Sequence, residues 1–200
     1  MKKTVFLPIV ALIVMAFSFP DKGKIVMLDE FQKIADSAGL VFEMPVGYKE
    51  SIVKENFDLP YQFAIKNKDE DFEVRYSVWP MTSLLADEAK CKADPNCKGH
   101  QDPNTMHKLL AMTTIMNLAG GQVPNINKFP PQSLKDAFNA DDGGVSFFEF
   151  NSEFGKGYKY GQVVYLHKDN LTNVIITFLS NDKKKHSELV LGAFHTLKFK

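Results

Sequence analysis

Five histidines, His100, His107, His167, His186 and His195, are the side chains of this 200-residue chain best suited to proton transfer near neutral pH. His100 and His107 stand seven residues apart, and the other three fall on separate predicted elements, so no local motif joins them. A His–acid–hydroxyl constellation is recognised by geometry and not by chain order. A secreted hydrolase assembled in space is therefore the second functional reading; it requires two or more of His100, His107, His167 and His195 to meet an acid in a cleft. Local signatures of catalysis are missing: there is no Gly-x-Ser-x-Gly elbow, no His-Glu-x-x-His and no glycine-rich phosphate loop. The sequence names no catalytic, cofactor-binding or metal-ligating residue, and each histidine reads as an ordinary polar or partly buried group.

Cys91 and Cys97 are the only cysteines, and Asp94, Pro95 and Asn96 between them favour a disulfide across a turn. A zinc site would need His100 and His107 as further ligands, and a redox site would more often show Cys-x-x-Cys. Asn67, Asp69 and Asp71 have the spacing of the first calcium-loop ligands, but Phe72 and Val78 stand where that loop needs glycine and glutamate, so a solvated hairpin tip is expected. Asn139, Asp141 and Asp142 before Gly143 and Gly144 read as a helix stop and tight turn. Lys183, Lys184, Lys185 and His186 form a concentrated basic patch near a helix N-terminus, where the dipole does not favour it. A solvated run is the simpler reading, and an acidic partner or anionic headgroups the alternative. Asn170-Leu171-Thr172 is a formal glycosylation sequon.

The elements that must position these groups follow an apolar leader. Lys2 and Lys3 precede an apolar run over 5–19, about 15 residues and short of the roughly 20 that span a bilayer core. Residues 1–18 are expected to be a secretory signal cleaved near Ser18, giving a secreted or periplasmic protein without a transmembrane segment in the mature chain. Without them the balance is 22 basic to 24 acidic side chains, which argues against a nucleic-acid partner. Residues 19–200 suit a single globular α+β domain. Helices are predicted over 28–38, around 84–89, over 103–119 with Asp102 as cap and Gly120-Gly121 as stop, over 132–139 and over 183–195. Strands are predicted over 40–44, 48–54, 61–65, 72–78, 145–150, 158–167, 172–179 and 197–199. Residues 174–179 are apolar on both faces, as a central strand covered on both sides would be. Residues 81–139 read as a helical, disulfide-pinned insertion.

Phe42-Glu43-Met44-Pro45-Val46-Gly47-Tyr48 is similar to the early hairpin of the Mog1/PsbP-like family, and residues 189–199 are similar to its closing helix and Leu-Lys-Phe strand. The resemblance implies an antiparallel β-sheet sandwiched between helices (α/β/α). It also implies action by binding, since members include photosystem accessory proteins, a nuclear transport factor and bacterial envelope proteins. The first functional reading is accordingly an exported cell-envelope binding or accessory protein without cofactors, its partner a protein or a small apolar ligand. Two features bear on that partner. Met106, Leu109, Leu110, Met112, Thr113, Met116 and Leu118 line one helix, read as a core stripe with an adaptable binding surface as the alternative. Phe147, Phe148, Phe150, Tyr158 and Tyr160 place rings on both strand faces, where some could line a groove.

Overall fold

Period-two alternation of apolar residues builds most of this protein, and the computed structural model describes residues 23–98 and 101–200. Both the expected leader and His100 lie outside the described residues. In chain order the elements are β1 (Gly23–Ile25), α1 (Leu28–Ser37), β2 (Leu40–Phe42), β3 (Tyr48–Glu50), β4 (Ile52–Lys54), β5 (Phe63–Asn67) and β6 (Phe72–Pro80). Then come α2 (Thr82–Ala93), α3 (Pro103–Leu118), β7 (Asn127–Lys128), α4 (Pro131–Phe138), β8 (Asp142–Glu149) and α5 (Ser152–Gly155). The chain ends with β9 (Tyr160–Lys168), β10 (Thr172–Ser180), α6 (His186–Leu191) and β11 (Leu197–Phe199).

Seven strands form one antiparallel sheet in the order β3-β5-β6-β10-β9-β8-β7, while β1 pairs with β4 and β11 with β2. The central strand is β10, the segment apolar on both faces. Its Val174, Ile176 and Phe178 join one buried cluster and its Ile175 and Leu179 another. Helical residues complete both: Phe31 and Ala35 of α1, Leu134 and Phe138 of α4 and Val190 of α6 in the first, Ala111, Ile115 and Leu118 of α3 with Phe154 of α5 in the second. Phe31 stacks on Phe63 at 4.4 Å and meets Phe42 edge-on at 5.2 Å, an aromatic cluster inside the first of these.

Several boundaries differ from the sequence reading, each for a physical reason. The strand expected over 48–54 breaks at Ser51, because β3 pairs with β5 whereas β4 swings away to pair with β1. Gly143 and Gly144 do not turn the chain; they lie inside β8, where a Cβ on Gly143 would sit 2.9 Å from both Leu134 and the Tyr165 carbonyl. The closing helix shrinks to α6, since Asp182 accepts the amides of Lys184 and Lys185 and holds residues 182–185 as a turn. The strands β1 and β7 and the short helix α5 are additions, the last started by Asn151, whose side chain accepts from the Phe154 amide.

Cys91 and Cys97 form the disulfide, with Cα atoms 5.3 Å apart, closing the C-terminal end of α2. That helix buries no side chain, so the bridge constrains an element that adds little to either cluster. The double Cys91→Ser/Cys97→Ser variant is expected to accelerate amide exchange over 82–93 by about tenfold or more, with the global urea midpoint moving by less than about 1 kcal/mol equivalent. A loss of several kcal/mol would show instead that α2 is integral to the core.

Candidate functional site

Residues that the sheet register places side by side form a row beneath the first turns of α3. Asp142 of β8 lies opposite His167 of β9, His167 opposite Asn173 of β10, and Asn173 opposite Trp79 of β6. His107 comes down from α3 and stacks flat on His167, ring centroids 3.8 Å apart and planes 9° from parallel. Its Nε2 is 2.9 Å from Asp142 Oδ2 and its Nδ1 2.6 Å from the Asn104 carbonyl. His167 sets Nδ1 2.7 Å from Asn173 Oδ1 and Nε2 3.0 Å from Asp169 Oδ1. Burial works against the Asp142 charge, but hydrogen bonds from His107 and the Gly143 amide, with Lys128 beside it, outweigh burial and bring its pKa down to about 2. The neighbouring Tyr165 phenol is pushed up to about 12, first by burial and then by the Asp142 charge.

Two histidines thus meet acids, although sequence separation scattered them. What they form is an anchor. All four ring nitrogens are engaged, no hydroxyl is among their partners, and the side chains of His107 and His167 are only 8% and 1% exposed. The adjoining cavity of about 10 Å³, lined by Trp79, Leu110 and Ile175, has room for a single water. Asn104 fastens the same end of α3 by exchanging hydrogen bonds with Asn170 on the β9–β10 turn, 3.0 and 2.8 Å long.

This anchor decides which side of α3 faces outward. The buried stripe is Pro103, His107, Ala111, Thr114, Ile115 and Leu118. The expected core stripe is corrected accordingly: Leu118 is inside and Met116 half-buried, but Met106, Leu109, Leu110 and Met112 are exposed, Leu109 by 65%. An α-helix apolar on both sides has one side left over once it docks. Leu84 of α2 is exposed as well and lines, with Cys91, Pro103 and Met106, a groove of about 210 Å³. The signal available in the sequence was composition: α3 carries more apolar residues than one stripe can hold.

The remaining candidates separate. His186 is buried with Nδ1 3.0 Å from Ser180 Oγ, a Ser–His pair sealed from solvent because Ser180 is also fully buried. His195 is exposed beside Phe138 and Phe194. Asn67 turns its side-chain oxygen to the amides of Asp69 and Glu70, and Asp71 pairs with Lys66, so the oxygens of Asn67 and Asp71 serve the hairpin. Among the described residues no group of three or more His, Cys, Asp or Glu side chains is arranged to hold a metal. The lysine run disperses: Lys183 lies over Phe147 and Tyr160, and Lys185 pairs with Glu70 at 2.9 Å. Among the described residues no helix is long and apolar enough to cross a membrane. Compared with models of known families and with curated proteins, the chain matches none.

Proposed function

We propose that this chain is an exported binding or accessory protein of the cell envelope, holding an apolar partner on the outer side of α3 with α2 alongside. The observation that carries this reading is the exposed row Met106, Leu109, Leu110 and Met112 on a helix whose opposite side is already fixed to the sheet. Flexible thioether side chains suit a surface that adapts to its partner. A scattered exposed leucine needs no explanation, but four large apolar residues on one side of one helix form a patch of the kind that marks interaction sites. In this reading the antiparallel sheet and the helical residues on both of its faces make an α/β/α sandwich of the Mog1/PsbP-like kind, and residues 1–18 direct export. The hydrolase reading draws support from the two His–acid contacts, yet their nitrogens are occupied and no nucleophile adjoins them.

A photo-crosslinking residue at position 109, introduced into the full chain expressed in its host, tests the surface. The expected result is an adduct of one defined mass in the envelope fraction, on a protein that has lost residues 1–18. Adding Met106→Ser and Met112→Ser should abolish the adduct while changing stability by no more than about 0.5 kcal/mol, because both side chains are exposed. Absence of any defined adduct, or an adduct that survives both serines, would remove α3 as the binding surface.

A further inference from the structure

The two titratable side chains of α3 both lie off its outer side. His107 is buried under the helix, and Lys108 reaches down its flank to 3.6 Å from Asp142. What faces outward is Thr105, Met106, Leu109, Met112, Thr113 and Met116, four turns of helix without a charge. Even the threonines are spent: Thr105 Oγ1 donates to the Asp102 carbonyl at 2.8 Å, and Thr113 Oγ1 to the Leu109 and Leu110 carbonyls at 2.9 and 3.1 Å. Neither hydroxyl has a donor left for a polar partner. We propose that, until a partner takes this face, it is covered by the α3 of a second copy of the chain, packed antiparallel about a two-fold axis. Resting on the reading of α3 as the binding surface, this makes dissociation of the dimer the step that exposes it.

The cover has to be uncharged, because a charged side chain set on this face would be buried with no counter-charge opposite it. Every other helix of the described residues carries at least one acidic side chain, Glu30, Asp87, Asp136, Glu153 and Glu188 among them. The outer side of α3 carries none, so α3 is its own complement. Self-complementarity of one patch is what a two-fold interface requires, since the same surface is used on both subunits. Sixteen residues make a rod of about 24 Å. A two-fold axis at the height of Ala111 sets Met106 against Met116 of the second copy and Leu109 against its Thr113. Leu109 then meets a smaller side chain, and the flexible thioethers of Met106 and Met116 fill the space that is left.

Direction and extent follow from the same surface. Antiparallel packing opposes the two helix dipoles, whereas a parallel pair would bring like ends together. Leu84 of α2, which lines the groove beside Met106, extends the apolar contact past α3 itself. One helix and its flank make a small interface, so the pairing is weak and reversible, with dissociation in the micromolar range. A cover of that strength keeps four large apolar side chains from water yet yields to a partner that binds the same face more tightly.

Sedimentation velocity of the leader-free chain over a dilution series tests the pairing. The expected result is a dimer that falls to monomer on dilution. Leu109→Arg alone and Thr113→Glu alone should each weaken it about a hundredfold or more, in proteins whose folded spectrum is unchanged because both positions are exposed. An equimolar mixture of the two variants should pair again, since the arginine of one copy then faces the glutamate of the other. A natural chain that is monomeric at every concentration, a dimer that either single variant leaves intact, or a mixture that fails to pair would each overturn the inference. The reading of α3 as a partner's surface is decided separately by the crosslink at position 109. The purified chain should give an adduct of twice its own mass, and in the envelope the partner's adduct should replace it. An envelope adduct of the doubled mass alone would keep the dimer and remove the separate partner.

Discussion

Arg75→Met is expected to cost about 3–5 kcal/mol of folding free energy, the range for removing one partner of a buried ion pair. Arg75 is 2% exposed, and its guanidinium lies between the rings of Tyr61 and Phe154, 5.1 and 4.9 Å from their centroids. One nitrogen donates to Glu73 at 2.7 Å, another to the Phe154 carbonyl at 2.5 Å, and a third to the Gly155 carbonyl at 3.4 Å. Methionine fills part of the volume but leaves a buried carboxylate unpaired and the last carbonyls of α5 without their donor. Glu73→Gln, which keeps one acceptor oxygen for Arg75 and turns an amide donor to Ser51, whose hydroxyl can accept it, should cost distinctly less. The pair with Arg75→Met should recover part of the loss, because the stranded charge is then gone. Urea unfolding at neutral pH reads all three, and a loss below about 1 kcal/mol for Arg75→Met would mean that water reaches this site and satisfies Glu73 without the arginine.

Arg75 also shows what sequence reading passed over. It is the only arginine among 24 basic residues, and a chain that uses lysine everywhere else has a reason for one guanidinium. Only a planar fork can reach a carboxylate and two carbonyls at once with its carbon about 5 Å from two ring centroids. That single difference of type was a legible signal for the buried Arg75–Glu73 pair. Its other partners, Ser51 and the Phe154 and Gly155 carbonyls, were not legible, since they come from distant parts of the chain.

The strands and the ends of α3 were readable because they depend on local rules. Alternation marks β5 and β6, and Asp102 caps α3 through the Asn104 amide at 2.9 Å. Which side of α3 faces the sheet was not readable, because Met106, Leu109 and Met112 satisfy a helical period as well as Ala111, Ile115 and Leu118 do. His107 settles the choice, and its role depends on the register that aligns Asp142, His167 and Asn173 across three strands. A one-residue slip of β9 would turn His167 to the other face and put Leu166 or Lys168 in its place. Sequence distance carries no trace of such a register, and so the histidines looked scattered.

Acid should destabilise this protein in two separate steps, and the larger belongs to His186. The ring is 1% exposed, lies against Phe72 and Phe147 at 6.0 and 5.2 Å, and leaves Nε2 without a hydrogen-bond partner. Ser180 donates its hydroxyl to the Asp182 carbonyl at 3.2 Å, so its oxygen accepts the Nδ1 proton and the bare lone pair sits at Nε2. A proton on Nε2 would have no acceptor in that apolar wall, and burial accordingly lowers the His186 pKa to about 4. Of the charged groups in this region, Lys183 lies over Phe147, Lys185 pairs with Glu70, and Asp182 is held by the amides of Lys184 and Lys185. A lowered histidine pKa means that the unfolded chain takes up the proton first. The contribution of the neutral ring is therefore complete above about pH 6.5 and is lost as pH falls from about 6.5 to about 4, a total near 3 kcal/mol. Asp142 acts lower: its pKa is depressed to about 2, so its contribution is present above about pH 4 and disappears between there and pH 2. His186→Leu should carry a constant cost at neutral pH but flatten the stability profile between pH 6.5 and 4, leaving the lower step in place. Urea midpoints across that range measure it, and a variant whose profile runs parallel to the natural protein's would show that His186 takes up its proton without opening the wall of Phe72 and Phe147.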